Sequence, residues 1–237
     1  MFDLHCHVLP GLDDGAGTME EALKMLEKSV SCGVKGVIAT PHSYMEHDRG
    51  VILSTLNALR TEAKNKHIPI RIYAGEELLL DERGLFVLQS GQAVPINGSR
   101  YLLVEFGFEE EREKVFYALS QVRACGLIPI VAHPERYAFF CEDARSAGEL
   151  RAQGCLLQVN RGSILGRHGQ EAQAVAWHLL KNREADFVAS DAHSPYLRTP
   201  ELNDVHQRIS LEISFDYAEQ LLRINPGRVL RNERIPG

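Results

Sequence analysis

Short apolar runs alternate along this chain with longer stretches whose apolar residues recur at helical spacing. Leu4 to His7 breaks at Leu9-Pro10-Gly11, and Val37 to Thr40 is a β-branched run that breaks at Pro41-His42. Ile70 to Ala74 stops at Gly75-Glu76-Glu77, Tyr101 to Val104 closes on Glu105, and Ile128 to Ala132 leads to His133-Pro134. Leu156 to Asn160 and Phe187 to Ala189 complete the set, the last ending at Ser190-Asp191-Ala192-His193. Each run reads as a strand. Between them, Thr18 to Glu21 reads as a capping box ahead of Ala22, Leu23, Met25, Leu26 and Val30, a helix that Gly33 ends. A second amphipathic helix is predicted from Val51 to about Lys66. Glu109, Glu110 and Glu111 supply the acidic opening of a helix through Val115, Phe116, Leu119 and Val122. Further helices are predicted up to Gly154, from Ala172 to Lys181, and from about Ser214 to Ile224, the last stopping at Asn225-Pro226-Gly227.

Polar residues stand at the C-terminal ends of these strands at regular intervals. His7 to His42 and His42 to Glu77 are 35 residues each, and Glu77 to Glu105 and Glu105 to His133 are 28 each. The step from His133 to Asp191 is 58, room for two units with the Leu156–Asn160 strand between. A strand with its crossover helix takes about 30 residues. The pattern predicts an α/β fold of parallel strands closing into a seven-stranded (β/α)7 barrel, distorted relative to the eight-stranded form, in one domain over residues 1–237. Such barrels keep their active site at the C-terminal mouth, where these residues would converge.

The set is His5, His7, Asp14, His42, Glu77, Glu105, His133, Asp191 and His193. His5 and His7, two apart on a strand, point the same way and leave Cys6 facing the other side. Each residue alone has a plainer explanation. Asp14 would bond its own loop backbone, His42 and His133 would be surface histidines, Glu105 would pair with an arginine, and Asp191 would cap a helix. Nine metal-compatible side chains at one end of successive strands argue otherwise, and clustered carboxylates need cations to be stable. Nine donors exceed the capacity of one ion, so two or three are expected, with Glu77 as a bridge. Imidazoles and carboxylates without thiolate suit Mn, Fe or Zn, and the many oxygens favour Mn2+. Closely spaced ions point to phosphoester hydrolysis. Arg136 and Arg198, near His133 and His193, are candidates to hold phosphate oxygens. Cys155 and Arg161 have the C-x5-R spacing of cysteine-dependent phosphatases, but the intervening residues contain no glycine and read as a strand. That route is rejected. Tyr44, Tyr137 and Tyr196 are candidates to line a slot for a phenyl ring, with core packing as the alternative.

Composition narrows the class. A formal net charge of −6 argues against a nucleic-acid partner. Five scattered cysteines without a C-x-x-C pair read as reduced thiols. No charged-then-apolar leader and no bilayer-length apolar run is seen, so a cytoplasmic protein without direct membrane insertion is expected.

Several stretches resemble the PHP (polymerase and histidinol phosphatase) superfamily, and within it the bacterial tyrosine-protein phosphatases of capsular and exopolysaccharide biosynthesis. They are the opening from Asp3 to Ala16, Ala39 to His42, Val104 to Phe106, Ala132 to Tyr137, Gln158 to Asn160, Ser190 to His193 with Arg198, and Asn225-Pro226. The resemblance runs from residue 1 to about 230. It implies a distorted seven-stranded barrel with a three-metal site, manganese dependence, and hydrolysis of phosphotyrosine in the tail of a cognate bacterial tyrosine kinase. It places the nine residues above as ligands, with Arg136 and Arg198 binding phosphate. Glu76 adjoins Glu77 and is open to confusion with it; Ser43 stands where a second histidine is usual, Gly107 where proline is common, and Arg161 adds charge beside Asn160. These departures bear on substrate preference. A small-molecule phosphatase of the histidinol-phosphate type is the main alternative. A metal-binding module without turnover and an amidohydrolase are further ones, the latter lacking its bridging lysine here.

Overall fold

The computed structural model describes residues 1–43, 49–143 and 145–236. Among them are eight strands, all paired in parallel. One sheet has the order β1 (Phe2–Cys6), β2 (Gly36–Ala39), β3 (Arg71–Ala74). The other runs β4 (Glu77–Leu79), β5 (Tyr101–Glu105), β6 (Ile128–Ala132), β7 (Leu156–Asn160), β8 (Phe187–Ala189). The expectation of parallel strands alternating with helices is met. The closed seven-stranded barrel is not: eight strands form two sheets, joined at their C-terminal ends by isolated parallel bridges. Cys6 bridges to Ala192, and His42 bridges to Glu77.

The extra strand comes from a break at Gly75. A Cβ there would lie 2.8 Å from Ile38 Cγ2 and 3.4 Å from the Ala39 carbonyl oxygen, so the backbone presses against β2 where only glycine fits. The chain then steps from β3 to β4, and Glu77 pairs with Leu103 of the other sheet. Backbone bonds from Glu77 N–H to the Pro41 carbonyl (3.0 Å) and from Ser43 N–H to the Glu77 carbonyl (3.1 Å) hold the step in place.

Strand residues feed two apolar clusters. Leu4, Ile38, Tyr101, Leu103, Ile130 and Phe187 belong to the smaller one, while Val37, Leu102, Val104, Val131, Val159 and Val188 join the helices in the larger. Burial on both faces explains why the strands read as continuous apolar runs. Cys6, 1 % exposed, packs in the larger cluster, away from its two histidine neighbours.

The helices at Met19–Ser31, Arg49–Asn65, Arg112–Ala124 and Gln170–Lys181 lie where periodicity placed them. Thr18 caps the first by accepting the Glu21 N–H at 3.2 Å. Helices at Glu82–Gln89 and Asn203–Glu212, and the short ones at Ala138–Glu142 and Arg161–Ile164, had no counterpart in the pattern. The last helix does not stop at Asn225: Phe215–Glu219 runs through a π-turn at Gln220–Ile224 into Asn225–Leu230. Pro226 occupies the first turn of that final segment, where its missing N–H costs little.

Candidate metal centre

His5 near the end of β1 and His7 just beyond it stand side by side, their Nε2 atoms 3.0 Å apart. The opposite nitrogen of each ring is already committed. His5 Nδ1 lies 2.8 Å from Gln158 Oε1, and His7 Nδ1 lies 2.7 Å from Asp13 Oδ2. Both partners are acceptor oxygens, so each Nδ1 donates, and in their neutral form the two rings would turn their Nε2 lone pairs towards each other. A shared cation relieves that opposition. Donor atoms about 3 Å apart are also the spacing of adjacent ligands around an ion bound at about 2.1 Å.

Glu77, wholly buried, sits at the middle. Its Oε2 is 3.2 Å from His5 Nε2, 3.3 Å from His7 Nε2 and 3.0 Å from His42 Nδ1, and its Oε1 is 2.9 Å from His133 Nε2. Despite three nitrogens around it, Oε2 makes no aligned hydrogen bond. His193 directs Nδ1 to the Asp191 carbonyl at 3.0 Å, and its buried Nε2 also lacks an aligned hydrogen bond. Asp14 reaches His193 Nε2 at 3.3 Å and His42 Nε2 at 3.6 Å from a half-exposed position. Glu105 is 2.8 Å from His42 Nδ1, and Asp191 Oδ1 is 3.4 Å from both His5 and His7 Nε2.

All nine candidates from the sequence are thus brought into one network. Three compact donor groups could each hold an ion: His7, Asp14, His42 and His193; His5, His7 and Glu77; and His42, Glu77 and Glu105. They share His7, His42 and Glu77 as common corners. His133 and Asp191 stand outside these groups but touch Glu77 and the His5–His7 pair. The donor set fits divalent cations, and its buried, underbonded atoms are the positions an ion would satisfy.

Without a cation, protons take its place. Burial opposes charge on His42, but Glu105 and Glu77 outweigh it and push the ring up to about 9. Burial likewise opposes the Glu77 carboxylate, yet the His5 charge, the His133 bond and the nearby His42 ring hold it well below its usual range. Asp191 is held low in the same way, against burial, by His5, His7 and Arg198. His133 (φ 34°) and Asp191 (φ 51°) adopt left-handed backbone conformations, a strain of about 1–3 kcal/mol each that concentrates at working sites.

Both arginines reach Asp191. Arg198 Nη2 donates to its Oδ2 at 2.6 Å, and Arg136 Nη1 lies 3.8 Å from the same oxygen. Asn160 Nδ2 donates there too, at 2.5 Å. Arg161 is a correction: it is buried and paired with Asp204, the Thr199 carbonyl and Glu201, so it adds no free charge beside Asn160. Cys155 and Arg161 lie at opposite ends of extended β7, and burial pushes the Cys155 thiol up to about 11. Glu76 turns away from the centre and accepts the Val94 N–H at 2.6 Å.

The tyrosine slot does not form from the residues expected. Tyr137 is wholly buried, with its hydroxyl accepting the Phe106 N–H, and Tyr196 meets Lys24 on the surface. Tyr44 lies outside the described residues.

The supporting roles of two residues were not read from the sequence. Asp13 orients His7 and also accepts the His42 N–H at 3.0 Å. Gln158 orients His5, and its amide donates to Asn160 Oδ1 at 2.8 Å, which links the His5 and Asp191 supports. For Gln158 the signal was its alternation with Asn160 on an otherwise apolar strand.

Fold and site together define a parallel α/β protein with a candidate polynuclear metal centre at its strand ends. The chain belongs to the CpsB/CapC family of capsular polysaccharide synthesis, whose family model matches residues 1–231. It is 32% identical to the tyrosine-protein phosphatase YwqE of Bacillus subtilis, over 99% of this chain and 93% of that protein. It is 29% identical to the tyrosine-protein phosphatase CpsB of Streptococcus agalactiae, over 99% of this chain and 100% of that protein. A solved structure from work on YwqE of Bacillus subtilis and CpsB of Streptococcus pneumoniae, unique metal-dependent tyrosine phosphatases, superposes with a TM-score of 0.92. It is 28% identical and covers 100% of this chain and 96% of that one.

Proposed function

We propose that this protein is a metal-dependent protein-tyrosine phosphatase whose nine clustered donors hold two or three Mn2+ ions, with Fe or Zn as the alternatives. One observation carries the reading: Glu77 lies within 2.9–3.3 Å of four imidazoles in a buried centre flanked by two arginines. Full-length relatives with that activity support it. When bound, such ions supply a hydroxide nucleophile at neutral pH and neutralise phosphoryl oxygens.

The chain's own residues do the rest. Gln158, Asp13 and the Asp191 carbonyl fix the tautomers of His5, His7 and His193, so that Nε2 of each is available. Asp191 divides its work, Oδ1 facing His5 and His7 while Oδ2 orients Arg198. Arg198 and Arg136 fork onto the phosphoryl oxygens and offset the charge that spreads over them during transfer. The two bridged sheets act as one distorted barrel in a single domain, its third strand divided at Gly75. The substrate is the phosphotyrosine tail of a bacterial tyrosine kinase, met in the cytoplasm, and the outcome is control of capsule or exopolysaccharide synthesis. No helix among the described residues is long and apolar enough to cross a membrane.

The test is purification with Mn2+ and comparison of rates on a phosphotyrosine peptide, a phosphoserine peptide, histidinol phosphate and single-stranded DNA. Faster turnover of phosphotyrosine is expected. Histidinol phosphate turned over faster instead would establish the small-molecule reading.

A further inference from the structure

Two rings other than the tyrosines stand beside the centre. A cavity of about 530 Å³ opens next to Arg136, and Phe108, Cys141, His168, Gln170 and Ala172 are among its walls. Arg136 belongs to both places. Its guanidinium faces Asp191 on one side and lies over the Phe108 ring, 4.2 Å from the ring centre, on the other.

We propose that this cavity is the subsite for the aryl group of the phosphoester, with Phe108 and His168 as the rings that recognise it. The inference rests on the phosphatase reading for the place of the phosphoryl group, at Arg136 and the metal centre.

Phe108 is 42% exposed, yet its place is fixed. Its carbonyl accepts the Ala138 N–H at 2.9 Å, and its ring packs 6.0 Å from the His133 ring and 6.3 Å from that of Tyr137. A phenyl group held rigid and half in water at a cavity mouth is a surface ready to be covered by another flat apolar group.

His168 is seated just as firmly. Its Nδ1 lies 3.1 Å from the buried Ser163 Oγ, and a Cβ on Gly162 would come within 2.7 Å of the ring. The imidazole therefore lies against bare backbone. Burial, with Arg136 and Arg198 nearby, takes it down to about 4, so it is uncharged at neutral pH. It offers a ring rather than a third cation competing for phosphate. Glu135 also borders the cavity, with its Oε1 engaged by the Asn160 N–H at 2.9 Å. A cavity of this size accepts a tyrosine side chain. A phosphoserine, with one methylene between ester oxygen and backbone, has no flat face to offer.

The test uses the metal-loaded full chain and two phosphonates that are not hydrolysed. Affinities for phenylphosphonate and methylphosphonate are measured by calorimetry. Wild type is expected to prefer the phenyl compound about tenfold, as stacking on two rings allows. Cys141→Trp, placed at an exposed rim position to fill the cavity, should bring the ratio close to one without weakening methylphosphonate, and Phe108→Ala should lower the ratio as well. His168→Ala should lower the ratio about threefold. A wild-type ratio near one, or a ratio unchanged in both Phe108→Ala and Cys141→Trp, overturns the subsite. If Phe108→Ala also loses methylphosphonate, that change has disturbed the centre and Cys141→Trp decides. A protein that prefers phenylphosphonate yet hydrolyses no phosphotyrosine keeps the subsite and loses the activity reading. One that hydrolyses phosphotyrosine without a phenyl preference does the reverse.

Discussion

Leu4 and His5 are neighbours on β1 and both are fully buried, yet they belong to regions built in opposite ways. Leu4 joins Ile38, Tyr101, Leu103, Ile130 and Phe187 in an apolar cluster where the Tyr101 hydroxyl is satisfied by the Glu233 carbonyl at 2.7 Å. His5 joins a cluster of imidazoles and carboxylates in which Glu77 Oε2, His133 Nδ1 and His193 Nε2 make no aligned hydrogen bond. The apolar cluster gains stability from contact alone. The polar one holds charged groups out of water and keeps His133 and Asp191 in strained backbone conformations, which the surrounding fold has to offset. The difference teaches that burial by itself does not mark a core: the test is whether every buried atom has a partner.

If the comparison is right, substitutions in the two regions should fail differently. The largest effect is expected at the polar centre. Glu77→Ala should lower turnover more than about a thousandfold and reduce bound metal by elemental analysis. Turnover and bound metal retained in that variant would break the comparison. Ile130→Ala should show the converse. It should cost about 2–5 kcal/mol in urea unfolding while turnover per folded molecule is kept.

A subtler change sharpens the boundary. Asp13→Asn should keep the fold but weaken metal binding about 10–100-fold in chelator competition, because it disturbs the orientation of His7. Unchanged affinity would place Asp13 in the structural class. Glu76, one residue from Glu77 but turned away, should show the smallest effect, and only through pH. Burial raises its folded value to about 7 from 4.5, so the folded state binds the extra proton between those values. Its contribution to stability should therefore fall as pH rises from about 4.5 through 7 and stay level above, by at most about 3 kcal/mol. Comparing Glu76→Gln with wild type at pH 5 and pH 8, both chelated, should show a smaller drop in the variant.

Much of this was legible in the sequence, and the rest was hidden for identifiable reasons. The spacing of His7, His42, Glu77, Glu105 and His133 reported the βα repeat directly, since side chains at successive strand ends must converge. The division at Gly75 was not legible, because one glycine followed by two glutamates reads equally as a stop and as a step. The helix continuing through Pro226 was missed since proline ends a helix interior but suits a first turn. Asp13 was overshadowed by Asp14: the two carboxylates are indistinguishable until the loop shows that one faces His7 Nδ1 and the other His193 and His42. Arg161 carried the wrong message for a similar reason. Its charge was visible, but the Asp204 and Glu201 that absorb it lie about forty residues on.

The bridge between Cys6 and Ala192 also ties the assembly of the centre to the order in which the chain is made. His5 leaves the ribosome well before Asp191, His193 and Arg198, which lie more than 180 residues further on. Joining them closes one of the longest loops the chain can form, a slow step among otherwise local βα contacts. A nascent or interrupted chain can fold several of its units while holding only part of the ligand set. Catalytic competence is thereby withheld until β1 and the segment after β8 have met.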